Sequence, residues 1–380
     1  MSFLTIYVYS IINGLKEVGL IFIYIMFYYV IIILMKTVYV GMSGGVDSSV
    51  SALLLKEQGY NVVGIYMKNW SEDLPGMKCP WAEDLADAKR IAVKLGIDFE
   101  VWDFEKEYRK KVVDYMLDEF KKGNTPNPDI MCNQEIKFKL FYEKAMEAGA
   151  DFIATGHYAR IIDGALARSV DENKDQTYFL YRISDEALKH TIFPIGEMTK
   201  PEVKKLAEKH GLHNAYKKES MGVCFVGEVG MKDFLKEYIE IKPGEIREIE
   251  TKKVLGYHEG AVFYTIGQRH GLYLNGEKGT VNDGMPYYVV KKDVKKNVVY
   301  VSKNLNHETI WMKELKLQDI FMRTEQKAKV LVRLRHRAPL VPATFDEKTL
   351  KFEDEIKRPA SGQSAVLYDG EICLGGGIIT

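Results

Sequence analysis

From Lys36 to about Tyr216, short apolar runs alternate with stretches of helical periodicity. Thr37-Val38-Tyr39-Val40 reads as a strand, and Ser49 to Gln58 carries a helical pattern that closes at Gly59. Val62 to Tyr66 is a buried-strand run, Glu83 to Leu95 is helical up to Gly96, and Phe99 to Trp102 is again a strand. Phe104 to Phe120 has the spacing of an amphipathic helix, Asn133 to Ala148 that of another ending at Gly149, and Phe152 to Thr155 that of a further strand. This alternation predicts an α/β domain, a doubly wound parallel sheet with helices on both faces. Ligands on such a sheet sit beyond the C-terminal ends of the strands. Gly41–Ser48, Met67 and Gly156 all follow predicted strands, so they are expected to share one rim.

The texture changes between about Glu219 and Asn282, where a short helix (Met231 to Ile239) leads through Lys242-Pro243-Gly244 into glycine-rich extended segments. From Met285 onward the pattern is strand and turn, with runs at Tyr287–Val290, Val298–Val301, Lys329–Leu334, Ala365–Tyr368 and Ile372–Leu374. Many short strands separated by turns predict a small barrel or sandwich, of which the barrel is preferred. The expected division is an apolar extension (1–34), a nucleotide-binding catalytic domain (35–218), a small central domain (219–284) and a C-terminal β-barrel (285–380).

The 380 residues carry 53 basic and 53 acidic side chains, so no global field draws the chain onto nucleic acid. RNA contacts must come from local basic patches. The four cysteines (Cys79, Cys132, Cys224, Cys373) form no Cys-x-x-Cys pair, which argues against zinc or iron–sulfur sites. The predicted metal-ligand set is accordingly empty. Sparse cysteine use suits a reducing cytosol, and a cytoplasmic protein is expected. Val18 to Met35 is an uncharged run of 18 residues, near the minimum for a membrane span. Met35-Lys36-Thr37-Val38 also reads as the opening of a domain whose first strand begins at once. The expectation is that Met35 is the real start, with no stable membrane partner.

Gly41-Met42-Ser43-Gly44-Gly45-Val46-Asp47-Ser48 lies between a strand and a helix. Adjacent glycines let N–H groups converge, and a helix N-terminus adds positive potential, so the loop is an anion cradle. Ser-Gly-Gly-x-Asp-Ser resembles the pyrophosphate loop of the PP-loop ATP pyrophosphatases. That resemblance implies ATP cleaved to AMP and pyrophosphate. Cys132 and Cys224 both lie in loop settings, in Asn127-Pro128-Asp129-Ile130-Met131-Cys132 and in Ser220 to Gly227. Cys132 is expected just before a helix starting near Asn133, where a helix N-terminus lowers a thiol pKa. Asp129 could act as acid or base, or hold a substrate group. Cys79 and Cys373 read as small buried hydrophobes.

Taken together with Ala154-Thr155-Gly156-His157-Tyr158-Ala159-Arg160, Lys174-Asp175-Gln176-Thr177-Tyr178-Phe179-Leu180 and Phe263-Tyr264-Thr265-Ile266-Gly267-Gln268-Arg269, these segments resemble the tRNA-specific 2-thiouridylase family. The motifs occur in family order and cover nearly everything from Lys36 to Thr380. The resemblance implies that Gly41, Met42, Ser43, Gly44, Gly45, Val46, Asp47 and Ser48, with Met67 and Gly156, hold ATP with Mg²⁺. It implies that Asn127, Pro128 and Asp129 touch the target uridine, and that Lys174, Asp175, Gln176, Arg335 and His336 contact tRNA. The family more often has Arg-Tyr at Arg335-His336, so His336 is a departure. Cys224 is implied to carry a persulfide delivered by a cysteine desulfurase or sulfur-relay protein. Cys132 is implied to be the second catalytic thiol, forming a transient Cys132–Cys224 disulfide and either freeing sulfide or resolving the intermediate. The implied substrate is the wobble uridine of the anticodon loop in Lys, Glu or Gln acceptors.

The chemistry asks for these parts. A uridine C2 carbonyl is a poor electrophile, and adenylation of O2 turns the leaving group into AMP. A persulfide is a good nucleophile near neutral pH, and two thiols are needed to give up and resolve sulfur. Flipping the base is cheapest in a single-stranded loop. Lys200, Lys204, Lys205, Lys209, Lys217 and Lys218 read mostly as a solvated helix face. Arg333, Arg335 and Arg337 would share one face of a strand and read as the better phosphate stripe, with edge-strand solubility an equal explanation. His157 at the rim reads either as a nucleotide contact or as a hydrogen-bonded structural residue, and His258 as structural. The rivals are a PP-loop ligase or amidating enzyme, which needs no cysteine pair, and a membrane-tethered tRNA-binding protein without turnover.

Overall fold

The structure is a computed structural model that describes residues 35–73, 79–218, 230–274, 277–278, 285–304, 306–324 and 328–380. Its first domain is built on β1 (Thr37–Gly41), β2 (Asn61–Lys68), β3 (Asp98–Asp103) and β4 (Phe152–Thr155). A hairpin of β5 (Ala159–Ile162) and β6 (Ala165–Arg168) leaves the sheet, and β7 (Thr191–Ile192) returns to it. The strand order is β3-β2-β1-β4-β7, with every neighbouring pair parallel.

Alternation along β1 explains the layers. Val38 and Val40 join a core with Val50, Leu53, Ile91 and Val203, contributed by helices 46–57, 81–95 and 200–209. Tyr39 points to the other face, into a core with Ile65, Trp102, Tyr108, Ile136 and Phe141. Helices therefore cover both faces, as the alternating pattern predicts. The order reverses at β1, where Gly41 sits beside Ile65 of β2 and Thr155 of β4. That reversal point is where a doubly wound sheet opens a ligand crevice.

The middle sheet holds β8 (Gly244–Glu248), β9 (Val254–His258), β10 (Tyr273–Leu274), β11 (Glu277–Lys278), β12 (Tyr288–Asp293) and β13 (Val298–Ser302), in the order β11-β10-β9-β8-β13-β12. The sequence pattern groups β12 and β13 with the C-terminal strands. In the fold β13 instead runs parallel to β8, with Val298 opposite Glu245. Strand character is local, but the choice of partner is made by a segment about fifty residues upstream.

β14 (Trp311–Met322), β15 (Lys329–Arg333), β16 (Val341–Asp346), β17 (Thr349–Lys357), β18 (Ser364–Asp369) and β19 (Ile372–Ile379) form the predicted barrel. The sheet order β14-β17-β16-β15-β18-β19 is closed by pairing of β19 back onto β14. The β5–β6 hairpin extends this sheet, with Ala167 opposite Ile372, so the first domain and the barrel share strands. Among the described residues no helix is long and apolar enough to cross a membrane. The apolar run at 18–34 lies outside them.

Candidate functional site

β1 ends at Gly41 and the next helix begins at Val46. Its N-cap, Gly45, supplies no side-chain cap, so the first-turn N–H groups lack the usual partner and face the crevice. Two serines set the loop's shape. The Ser43 N–H donates to Ser48 Oγ (3.2 Å), and Ser48 Oγ donates to the Gly45 carbonyl (3.1 Å). Gly44 adopts φ 76°, and a Cβ there would collide with the Asp84 carbonyl. Gly156 lies against the helix start, since a Cβ would sit 2.6 Å from Ser48 N. The Met67 Cε lies 2.9 Å from where a Gly41 Cβ would be. Gly41–Ser48, Met67 and Gly156 thus come together on one rim.

The loop's carboxylate is fully matched. Lys200 Nζ reaches both oxygens of Asp47 (2.7 and 2.8 Å), and the Tyr158 hydroxyl donates to one of them (2.9 Å). Buried Asn214 donates to the Gly44 carbonyl and to Ser49 Oγ, each at 2.9 Å. Lys217 bridges Asp84 and Asp87, both at 2.7 Å. Lys204, Lys205, Lys209 and Lys218 are exposed, as a mostly solvated face predicts, while Lys200 and Lys217 are the exceptions, with partners far away in sequence.

The helix carrying Cys132 starts earlier than expected. Asn127 is its N-cap, with Oδ1 accepting from Asp129 N (3.1 Å) and Ile130 N (3.4 Å), and Pro128 occupies the first turn. Asn-Pro-Asp is a start signal in its own right: a capping amide, a proline pre-set for the first turn, and an acid at the positive end. The N-terminus thus acts first on Asp129. Cys132 lies one turn further in, buried, at the head of a π-helical segment, Cys132–Phe141. Such segments are frequent at functional sites.

One turn beyond Cys132, Lys137 points back to the rim. Its Nζ lies 3.5 Å from His157 Nε2, and His157 Nδ1 is 2.8 Å from Thr155 Oγ1. An ammonium only donates, so Nε2 accepts and Nδ1 carries the proton. Burial, with Lys137 beside it, holds His157 well below its ordinary pKa and keeps the ring neutral. Burial raises the Asp129 carboxyl, with Lys137 pulling the other way. Glycine loop, Gly156, His157 and Lys137 form a continuous path, and the Lys137 charge acts on Asp129 from its end. Sequence reasoning passed over Lys137, because five residues beyond Cys132 an α-helical spacing turns it to another side; the π-helical winding of Cys132–Phe141 changes that spacing.

The predicted tRNA contacts gather at the seam between first domain and barrel. Asp175 is not placed to touch RNA directly. It is buried, accepting from Thr177 Oγ1 (2.9 Å), Thr177 N and Ser169 N (both 3.3 Å) and Arg333 Nη1 (2.6 Å). Gln176 Oε1 accepts from the Tyr158 N–H (2.9 Å). His336 packs on Phe179 with ring centres 4.5 Å apart. Burial, helped by Arg337, pushes its pKa down to about 4. Lys174 is close enough to add to that effect, so two segments far apart in sequence share this patch. The arginine stripe does not form: β15 stops at Arg333, Arg333 is buried against Asp175, and Arg337 turns into the left-handed region (φ 62°). Arg335 remains exposed.

Cys79 and Cys373 are buried as expected, and burial pushes the Cys373 thiol up to about 12. His258 is buried beside the Tyr264 ring. Cys224, and with it the predicted disulfide, lies outside the described residues.

Family models match along the whole described chain. They are a tRNA methyl transferase HUP domain over residues 36–228, a tRNA methyl transferase PRC-barrel domain over 232–303 and an aminomethyltransferase beta-barrel domain over 306–379. The second match ends one residue past β13. The tRNA-specific 2-thiouridylase MnmA of Listeria monocytogenes serotype 4a (strain HCC23) is 48% identical over 355 residues, 90% of this chain and 94% of that protein. The protein of the same name from Pseudomonas savastanoi pv. phaseolicola is 47% identical over 358 residues, 91% of this chain and 94% of its own length. Among solved structures, NMN synthetase from Francisella tularensis aligns loosely, with TM-score 0.32 and 16% identity over 49% of this chain and 66% of that one. With its domain order matched and nearly half of its residues shared over 90% of its length, the chain belongs to the tRNA-specific 2-thiouridylase family.

Proposed function

We propose that this protein is a cytoplasmic ATP-dependent sulfurtransferase that adenylates and 2-thiolates the wobble uridine of tRNA. The observation that carries the reading is the Gly156–His157 turn. On one side it abuts the uncapped helix start of the glycine loop; on the other His157 meets Lys137, whose charge reaches Asp129 and pulls its carboxyl down. Phosphate binding and base chemistry can therefore occur within one crevice.

The donor set fits ATP: an open helix N-terminus, converging glycines, and a loop carboxylate already neutralised by Lys200. ATP, when bound, supplies the adenylyl group that makes uridine O2 a leaving group. Mg²⁺ would ride mainly on the nucleotide's phosphates. The first-turn N–H groups of Val46–Ser48 would hold the departing pyrophosphate. Asn127, Pro128 and Asp129 would receive the base. The raised carboxyl of Asp129 lets it hold a proton to higher pH than an ordinary aspartate, as a residue moving a proton at the base should. Lys137 and neutral His157 would position it.

Cys224 would carry a persulfide from a cysteine desulfurase or relay protein, with Cys132 as the second thiol and a transient disulfide between them. The terminal persulfide sulfur would attack C2 as the C2–O bond breaks and AMP leaves; the Cys132 thiolate would then attack the inner Cys224 sulfur, cleaving the S–S bond, leaving the sulfur on C2 and forming the disulfide, which a thiol reductant must reopen. Lys174, Gln176, Arg335 and the His336–Phe179 stack would meet the anticodon arm of Lys, Glu or Gln acceptors. Mass spectrometry of wobble nucleosides in a strain lacking the protein tests the proposal. Complementation with Cys132→Ser should leave the 2-thio nucleoside absent while the purified variant still binds ATP. Undiminished thiolation by that variant would defeat the mechanism.

A further inference from the structure

The Thr265-Ile266-Gly267-Gln268 loop has no part in the chemistry above, yet it is held firmly. Gly267 N–H donates to the Val289 carbonyl (2.7 Å), Val289 N–H donates to the Gln268 carbonyl (2.9 Å), and Gln268 Oε1 accepts from Thr265 N (3.0 Å). The loop forms one wall of a cavity of about 60 Å³ where all three domains meet. Thr125 of the first domain, Thr265 and Lys292 of the middle domain, and Arg358 and Ser361 of the barrel line it. The barrel wall is pinned to the first domain, with Thr125 N–H donating to the Ser361 carbonyl (2.7 Å).

Lys292 is the anomaly. Its Nζ is buried and has no hydrogen-bond partner. Burial alone pulls its pKa down to about 8, and among the described residues no carboxylate offsets it. A buried ammonium with three empty donors is a costly thing for a fold to keep. Arg358 adds a second cation and uses its Nε on the Thr309 carbonyl (2.7 Å). Two cationic side chains, several hydroxyls and no acidic side chain line the space. On the same measure one water needs roughly 10–15 Å³, so the cavity has room for a tetrahedral oxyanion.

We propose that this three-domain junction is a phosphate-group site, in which Lys292 and Arg358 grip one oxyanion against the Thr265 and Ser361 hydroxyls and lock the domains together. The anion can come from solution or from a tRNA phosphodiester, and the two sources separate by experiment.

The test is thermal unfolding of tRNA-free wild type and Lys292→Met in potassium phosphate and in potassium chloride at equal ionic strength, followed by tRNA titration of both. In chloride, Lys292→Met should melt higher than wild type, because it removes an unpaired buried charge. In phosphate, wild type should gain a saturable increment that the variant lacks. Phosphate on the glycine loop would stabilise both proteins alike, so the difference between them is the readout. Arg358→Gln should shrink that difference without abolishing it. If free phosphate yields no difference but Lys292→Met weakens tRNA binding about tenfold, the site stands with RNA as its source. Equal phosphate increments together with equal tRNA affinities overturn the proposal. None of these readouts depends on thiolation.

Discussion

Buried Lys200 at the glycine loop and Lys292 at the domain junction, whose Nζ is buried, meet opposite solutions to the same problem. Lys200 is met by both oxygens of Asp47, which Tyr158 also holds. Lys292 is met by nothing. At the loop the protein completes its own electrostatics and leaves only backbone N–H groups open to an anion. At the junction the side-chain charge itself is left open. A preformed site for a multiply charged nucleotide gains from a rigid, neutral frame; a junction whose domains must close over an anion gains from a cation that is unstable without it.

The sharpest way to break the contrast is to unpair a charge that is paired. Arg333 and Asp175 form the most buried ion pair of the seam, with side chains 6% and 0% exposed. Arg333→Met should cost roughly 3–5 kcal/mol in denaturant unfolding, because it strands the Asp175 carboxylate. A loss under about 1 kcal/mol would mean that the backbone donors alone satisfy Asp175. Lys200→Met is the next largest effect. Asp47 is 26% exposed and keeps Tyr158, so a loss of about 2 kcal/mol is expected, together with weaker ATP binding by calorimetry. The sign should be opposite to that of Lys292→Met in chloride. If both variants move the same way, the distinction between matched and open charge falls.

Much of this was legible because it is local. Gly41–Ser48 sits between a period-2 run and a period-3.6 run, and no distant contact is needed to place it at a strand end. The barrel strands likewise announce themselves. What was not legible depended on partners remote in sequence. Lys200 looks like one more surface lysine until Asp47 arrives from 153 residues away. Arg333, Arg335 and Arg337 alternate like a strand face, but the strand ends at the first of them, and Arg333 faces inward to Asp175. His336 reads as a tRNA contact from its sequence setting, but its stacking on Phe179 depends on the barrel docking on the 174–180 segment, which no local pattern announces. The misplaced helix start at Cys132 is different in kind, since the Asn-Pro-Asp cap was readable and simply went unweighed.

Asp129 extends the comparison to an acid, and its pH dependence decides whether the catalytic edge is as electrostatically complete as the loop. Burial raises its carboxyl above the usual 3.8, and Lys137 only partly opposes the shift. The folded state therefore holds the Asp129 proton more tightly than the unfolded chain does. The stabilisation this provides is complete below pH 3.8 and is lost as pH rises through the folded pKa. Above that point wild type carries a carboxylate that burial disfavours. Asp129→Asn, which cannot ionise, should melt about 2 °C higher than wild type near pH 7, with the difference closing as pH falls toward 4. Thiolation should be lost with it. Adding Lys137→Met to wild type should push the carboxyl further up and widen the gap from Asp129→Asn at neutral pH. A difference that stays flat with pH would mean that Asp129 is matched as fully as Asp47, leaving the junction lysine as the sole open charge of the pair of regions.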